Sequence, residues 1–143
     1  MAKLIVAAIA ARLPPWAREA RETYRKRMPR GFEVEHLDLK AADGARLRAR
    51  LPKGALLVAL DERGEALSTR QFAAKLAAWR GAGTAVAFVI GGPEGLDPAL
   101  RAGAAQRMRL STLTLAHALA QVVLYEQLYR AAALLGGHPY HRD

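Results

Sequence analysis

The last six residues of the chain, His138-Pro139-Tyr140-His141-Arg142-Asp143, bring together two imidazoles, a phenol and a guanidinium. Imidazoles carry protons near neutral pH, arginine clamps anions, and a tyrosine stacks or hydrogen-bonds through one side chain. A second chemical feature is Gly91-Gly92-Pro93-Glu94-Gly95, which directly follows the apolar run 85–90. A buried strand that opens into glycines is where α/β proteins place ligands, because a bound molecule can lie close against the backbone. The two segments together read as a ligand site with proton carriers and an anion clamp beside it. His117 is a further candidate, since it sits at the head of the last helical stretch. His138 and His141 have a spacing that a metal ion accepts, but no third histidine or carboxylate converges on them, so no metal is expected. Glu94 reads as a ligand-orienting group or a helix cap, and Glu126 as a salt-bridge partner rather than a base.

At 143 residues the chain fits one domain, and a domain of that size buries roughly 70% of the surface that its unfolded form exposes. Cysteine is absent, which excludes disulfides, thiolate zinc sites and cysteine nucleophiles and agrees with a cytoplasmic setting. The apolar start, residues 1–10, is too short to span a membrane and reads as a first strand, so no membrane partner is expected. The net charge of +9 is uneven: residues 1–53 carry an excess of +7 and residues 54–143 only +2. A basic part joined to a nearly neutral part suits a chain that meets a polyanion with one portion and a smaller ligand with the other. The plainer reading is that basic residues keep the protein soluble.

The pattern alternates strands and helices around these groups. After the strand at 3–10, Pro14-Pro15 punctuates, and Trp16, Ala20, Tyr24 and Met28 recur at helical spacing, with Arg18, Arg21, Arg25 and Lys26 opposite that stripe. Residues 32–39 read as an imperfect strand. The basic stretch 40–53, broken by Gly44 and Pro52, supports no assignment. Ala55 to Leu60 reads as a buried strand that closes on a turn, Asp61-Glu62-Arg63-Gly64. Ser68 and Gln71 have capping-box spacing, and Phe72, Ala73, Leu76 and Trp79 mark one face of a helix that ends at Gly81 or Gly83. Asp97-Pro98 is a helix start. That helix gives way near residues 107–109, and 110–115 is taken as the last strand. The final helix, about 116–135, is apolar nearly all round apart from a Glu126/Arg130 pair and a His117/Gln121 pair, which suggests packing against a second copy of the chain. The expected fold is therefore a single α/β domain with a mostly parallel sheet flanked by helices.

The runs Phe88-Val89-Ile90-Gly91-Gly92-Pro93-Glu94-Gly95-Leu96, Leu110-Ser111-Thr112-Leu113-Thr114-Leu115-Ala116-His117, Glu126-Gln127-Leu128-Tyr129-Arg130-Ala131 and His138-Pro139-Tyr140-His141-Arg142 resemble the RlmH family. These are SPOUT-class methyltransferases that modify N3 of a pseudouridine in bacterial large-subunit (23S) ribosomal RNA. The likeness covers almost the whole chain and is most specific in its last third. It implies a C-terminal trefoil knot over about 85–143, a homodimer, S-adenosylmethionine as cofactor, and the large subunit or assembled 70S ribosome as partner. Carried over residue by residue, it implies cofactor contacts at Leu60, Gly91, Leu110, Ser111, Thr112, Leu113, Thr114 and Leu115. It places the catalytic work on Arg142 as phosphate or base-anion contact, Tyr140 as partner of the pyrimidine, and His138, His141 or His117 as proton acceptor.

Ala116 and Ala118 stand where the family usually has prolines beside His117, and Gln121 where an arginine is common. The basic segment is also shorter than usual. Two other readings compete: a SPOUT-type methyltransferase with a different RNA target, and a non-catalytic basic RNA-binding α/β module. A metabolite enzyme with a phosphate loop or a nucleophile elbow is disfavoured, since neither GxxxxGK[ST] nor GxSxG occurs.

Overall fold

A computed structural model describes residues 3–9, 12–40, 44–92, 95–137 and 140. Strands and helices alternate in the order β1 (Leu4–Ile9), α1 (Pro15–Arg27), β2 (Val34–Leu39), α2 (Gly44–Arg50), β3 (Leu56–Ala66), α3 (Thr69–Gly81), β4 (Val86–Ile90), α4 (Pro98–Ala102), β5 (Gln106–Arg109) and α5 (His117–Leu135). The strands form one parallel sheet in the order β2-β1-β4-β3-β5. Central β4 is apolar and buried at every position, as a strand covered on both faces must be.

Alternate residues of these strands feed two cores. Leu4, Val6, Val58, Val86 and Phe88 pack with Met28 at the end of α1, Phe72 and Leu76 of α3, and Leu124, Tyr125 and Leu128 of α5. Ile5, Ala7, Leu57, Ala59, Ala87 and Val89 face the other way and meet Leu47 of α2 and Leu100 of α4. α5 packs against both α1 and α3. The Ser68/Gln71 capping box forms as expected, with Gln71 N–H donating to Ser68 Oγ at 3.1 Å and Ser68 N–H to Gln71 Oε1 at 2.8 Å.

Four expectations are corrected. The unassigned basic stretch contains α2, anchored by the fully buried Leu47. The inward face of α1 is broader than expected: Met28 is buried and Tyr24 packs against the core, but Ala17 and Arg21 are buried as well while Trp16 is 54% exposed. The last strand lies at 106–109, and 110–116 is irregular; β5 is polar because only its Met108 is buried. The presumed turn 61–64 interrupts β3 without ending it, since Met108 of β5 pairs with both Leu60 and Glu65.

Candidate functional site

A cleft of about 620 Å³ opens at the C-terminal ends of β3, β4 and β5, where parallel sheets present ligands. Its volume is that of a cofactor-sized site. Leu60, Gly91, Leu110, Ser111, Leu113, Thr114 and Leu115 all line it, together with His117. Thr112 is exposed and lies outside the lining. The backbone of 110–116 is irregular, with Leu113 N–H donating to Ser111 Oγ at 2.9 Å, while leucines contribute apolar walls.

Gly91 sits where the loop doubles back. A Cβ at that position would lie 2.6 Å from the Gly95 carbonyl carbon, so only glycine lets the two backbones approach this closely. His117 ties this loop to α5, its Nδ1–H donating to Gly91 O at 2.8 Å. With the proton on Nδ1, Nε2 accepts from Gln121 Nε2 at 3.0 Å. Both ring nitrogens are therefore engaged. Gln121 is 1% exposed, and its Oε1 faces Arg21 NH1 at 3.5 Å. Arg21 NH1 also donates to His36 Nε2 at 2.9 Å, and His36 Nδ1 meets the Tyr125 hydroxyl. A continuous polar chain thus runs from β2 through α1 and α5 to the glycine loop. Burial, aided by the Arg21 charge, holds the His36 pKa below its ordinary value despite the nearby Asp38; burial likewise raises that of Tyr125.

On the opposite wall, the interruption of β3 turns Asp61 inward. Gly64 makes this possible, because a Cβ there would fall 2.6 Å from the Met108 backbone nitrogen. Bulges of this kind re-aim side chains beside functional sites. The Asp61 side chain is only 6% exposed, and its Oδ1 accepts from Arg63 N–H at 3.0 Å. Oδ2 lies 3.1 Å from Arg101 Nε, yet the geometry makes no hydrogen bond. Among the described residues, Asp61 Oδ2, Arg101 Nε and Arg109 Nε are the buried side-chain polar atoms without a hydrogen-bond partner. All three residues line this cleft.

A family model described as "Predicted SPOUT methyltransferase" matches residues 2–141. The chain belongs to the SPOUT methyltransferase family. This methyltransferase is 48% identical to the ribosomal RNA large subunit methyltransferase H of Variovorax paradoxus (strain S110), over 99% of both chains. It is 47% identical to the protein of the same name from Paracidovorax citrulli (strain AAC00-1), again over 99% of both. Among solved structures, the A. aeolicus TrmH/SpoU tRNA modifying enzyme aligns with a TM-score of 0.59 at 14% identity, over 98% of this chain and 81% of that one. The SpoU methyltransferase AviRb from Streptomyces viridochromogenes, in complex with the cofactor AdoMet, aligns at 0.52 and 14% identity, over 91% of this chain and 58% of that one. At such identities the structural likeness concerns the fold.

The tail of the methyltransferase is described only at Tyr140, and His138, His141 and Arg142 lie outside the described residues. Tyr140 is not in the cleft lining. Its hydroxyl donates to Glu126 Oε2 at 2.8 Å, its ring meets Tyr129 at 4.6 Å between centroids, and the Arg130 guanidinium lies 4.9 Å from it. Burial and the Tyr24 and Glu126 contacts raise its pKa. Glu126 is the ion-pair partner that the sequence suggests, 2.7 Å from Arg130. Its hydrogen bond in turn raises the Arg130 pKa. Sequence reasoning missed Asp61, Arg101 and Arg109 in the cleft, and the buried Arg21–His36 contact behind it. The one available signal is Gly64, three residues after Asp61, and by itself it suggests only a turn.

Proposed function

We propose that the cleft binds S-adenosylmethionine and that the enzyme methylates N3 of a pseudouridine in bacterial 23S ribosomal RNA, acting on the assembled large subunit or 70S ribosome. The observation that carries the reading is the coincidence of full-length relatives named for large-subunit ribosomal RNA methylation with a cleft walled by seven of the eight residues that the resemblance assigns to the cofactor. The fit is physical: the volume suits a nucleoside-sized ligand, Gly91 admits close approach to the backbone, and Leu60, Leu110, Leu113 and Leu115 offer apolar surface for a purine.

When bound, S-adenosylmethionine supplies a methyl group already activated by the sulfonium charge. The protein's task is alignment, plus removal of the proton from the attacking ring nitrogen. The His117–Gly91 bond holds two walls of the cleft together, and the lone pair of His117 Nε2 is already taken by Gln121. Proton acceptance therefore falls to His138 or His141 of the tail, with Arg142 stabilising the base anion or a phosphate and Tyr140 contacting the pyrimidine. The +7 excess in residues 1–53 supplies sequence-independent attraction to RNA.

A homodimer, a trefoil knot over about 85–143, a single domain spanning 1–143 and a cytoplasmic location belong to the same proposal. Large apolar side chains left exposed on α1 and α5, namely Trp16, Leu119 and Leu135, favour the dimer. No helix among the described residues is long and apolar enough to cross a membrane. The decisive experiment is methyl transfer to assembled ribosomes, compared with free 23S RNA, both from a strain lacking the enzyme. Methylation of the ribosomes at a single pseudouridine N3 is the expected result; transfer to another RNA or another atom would replace the target.

A further inference from the structure

We infer that Asp61, Arg101 and Arg109 form the subsite for the amino-acid end of the methyl donor, the Asp61 carboxylate receiving its ammonium group and the two guanidinium groups its carboxylate. This rests on the reading of the cleft as the S-adenosylmethionine site and adds residues that the resemblance did not assign.

Buried polar atoms in folded proteins nearly always have partners, and a buried charge without one is costly enough that the structure must complete it with solvent or ligand. Here the atoms left incomplete, Asp61 Oδ2, Arg101 Nε and Arg109 Nε, fall together on one cleft. Asp61 and Arg101 stand at ion-pair distance, 3.1 Å, without a directed hydrogen bond. The arrangement is also built. Gly64 allows the interrupted strand to press against the β5 backbone, the Arg63 N–H pins Asp61 Oδ1, and Oδ2 faces Arg101 Nε at 3.1 Å with its hydrogen-bonding capacity still open.

Asp61 with Arg101 and Arg109 is complementary to a zwitterion that carries an ammonium and a carboxylate on one carbon, and Glu62 and Arg63, which also line the cleft, add one charge of each sign. This set does not suit a phosphate, which Asp61 would repel, or a neutral nucleoside, which would leave the Arg109 guanidinium and the open hydrogen-bond positions of Asp61 and Arg101 unanswered. The leucines of the same cleft answer the other, aromatic end of such a donor.

The test is calorimetric and needs no turnover. S-adenosylhomocysteine carries the amino-acid end, and 5′-methylthioadenosine lacks it. The native enzyme should bind the first at least about tenfold more tightly, the equivalent of one good charge-assisted contact. Asp61→Asn and Arg109→Met should each weaken S-adenosylhomocysteine about tenfold while leaving methylthioadenosine unchanged, so that the preference collapses. Thermal unfolding checks the fold, and Arg109→Lys, which keeps the charge, should retain most of the preference where the methionine variant does not fold. Equal weakening of both ligands, or no change in either, would overturn the subsite while the cleft reading stands. Failure of the native enzyme to bind either ligand would remove the cleft reading itself, and the subsite with it.

Discussion

His117 and Gly91 are 26 residues apart in the chain and share one hydrogen bond, from the imidazole Nδ1–H to the glycine carbonyl. That bond joins the first turn of α5 to the end of β4, two walls of the same cleft. It gives His117 a positioning role that is separable by experiment from proton acceptance. His117→Ala should weaken S-adenosylhomocysteine about tenfold, the loss of one hydrogen bond to a constrained loop. His117→Asn, whose amide can still donate, should recover part of it. Unchanged donor affinity with a collapsed kcat would instead make His117 the base.

Gln121 holds that histidine in place and answers a buried arginine at the same time. Gln121→Leu keeps the volume and removes both functions. It leaves His117 Nε2 without its donor and one Arg21 contact without an acceptor, so unfolding in urea should show a loss of about 1–3 kcal/mol. A variant as stable as the native protein would mean that water replaces the amide at no cost.

Much of the frame was legible because it rests on local rules. The uninterrupted apolar run at 86–90 requires a strand covered on both faces, and Ser68/Gln71 fixes a helix start through two hydrogen bonds within four residues. The leucine and hydroxyl run at 110–115 was assignable to the cleft by resemblance, although its own pattern suggested a strand. What escaped the sequence is non-local. Arg21 looks like a solvated residue on the polar side of α1 until β2 and α5 bring His36 and Gln121 to it. Asp61 looks like a turn residue until β5 pairs on both sides of the interruption. Periodicity encodes which way a side chain faces along its own element, not which partner makes burial of a charge tolerable.

His36 makes part of the stability dependent on pH. Burial and the Arg21 charge lower its folded pKa from an unfolded value of about 6.5, so the folded state favours the neutral ring. The stabilisation is complete above about pH 6.5 and is lost as pH falls through the lowered folded value, where the unfolded chain binds the proton more readily. Urea unfolding at pH 7.5 and 5.5 should show lower stability at the acid end, with a smaller difference in His36→Gln. The same difference in both proteins would assign the acid sensitivity to other groups.

Gly64→Ala tests whether the interrupted strand shapes the cleft. Its Cβ would meet the Met108 backbone at 2.6 Å, which no side-chain rotation relieves. β3 and β5 must separate locally, at a cost of about 1–3 kcal/mol. If Asp61 is held inward by this contact, the preference for S-adenosylhomocysteine over methylthioadenosine should fall in step with stability. A stable variant with native preference would show that the strand adapts elsewhere.

The tail offers the cleanest separation of donor binding from methyl transfer. Tyr140 is held against α5 by Glu126, Tyr129 and Arg130 rather than in the cleft lining, so within one chain the described part of the tail makes no wall of the donor site. If Arg142 contacts RNA or the base anion, Arg142→Ala should abolish methylation of ribosomes while S-adenosylhomocysteine binds with nearly native affinity. The two quantities report on different partners, donor affinity on the cleft and transfer on the pyrimidine. Loss of both would mean that the end of the chain completes the donor site. Retention of both would move the RNA contact elsewhere, and the basic residues of the first 53 positions would be the next to replace.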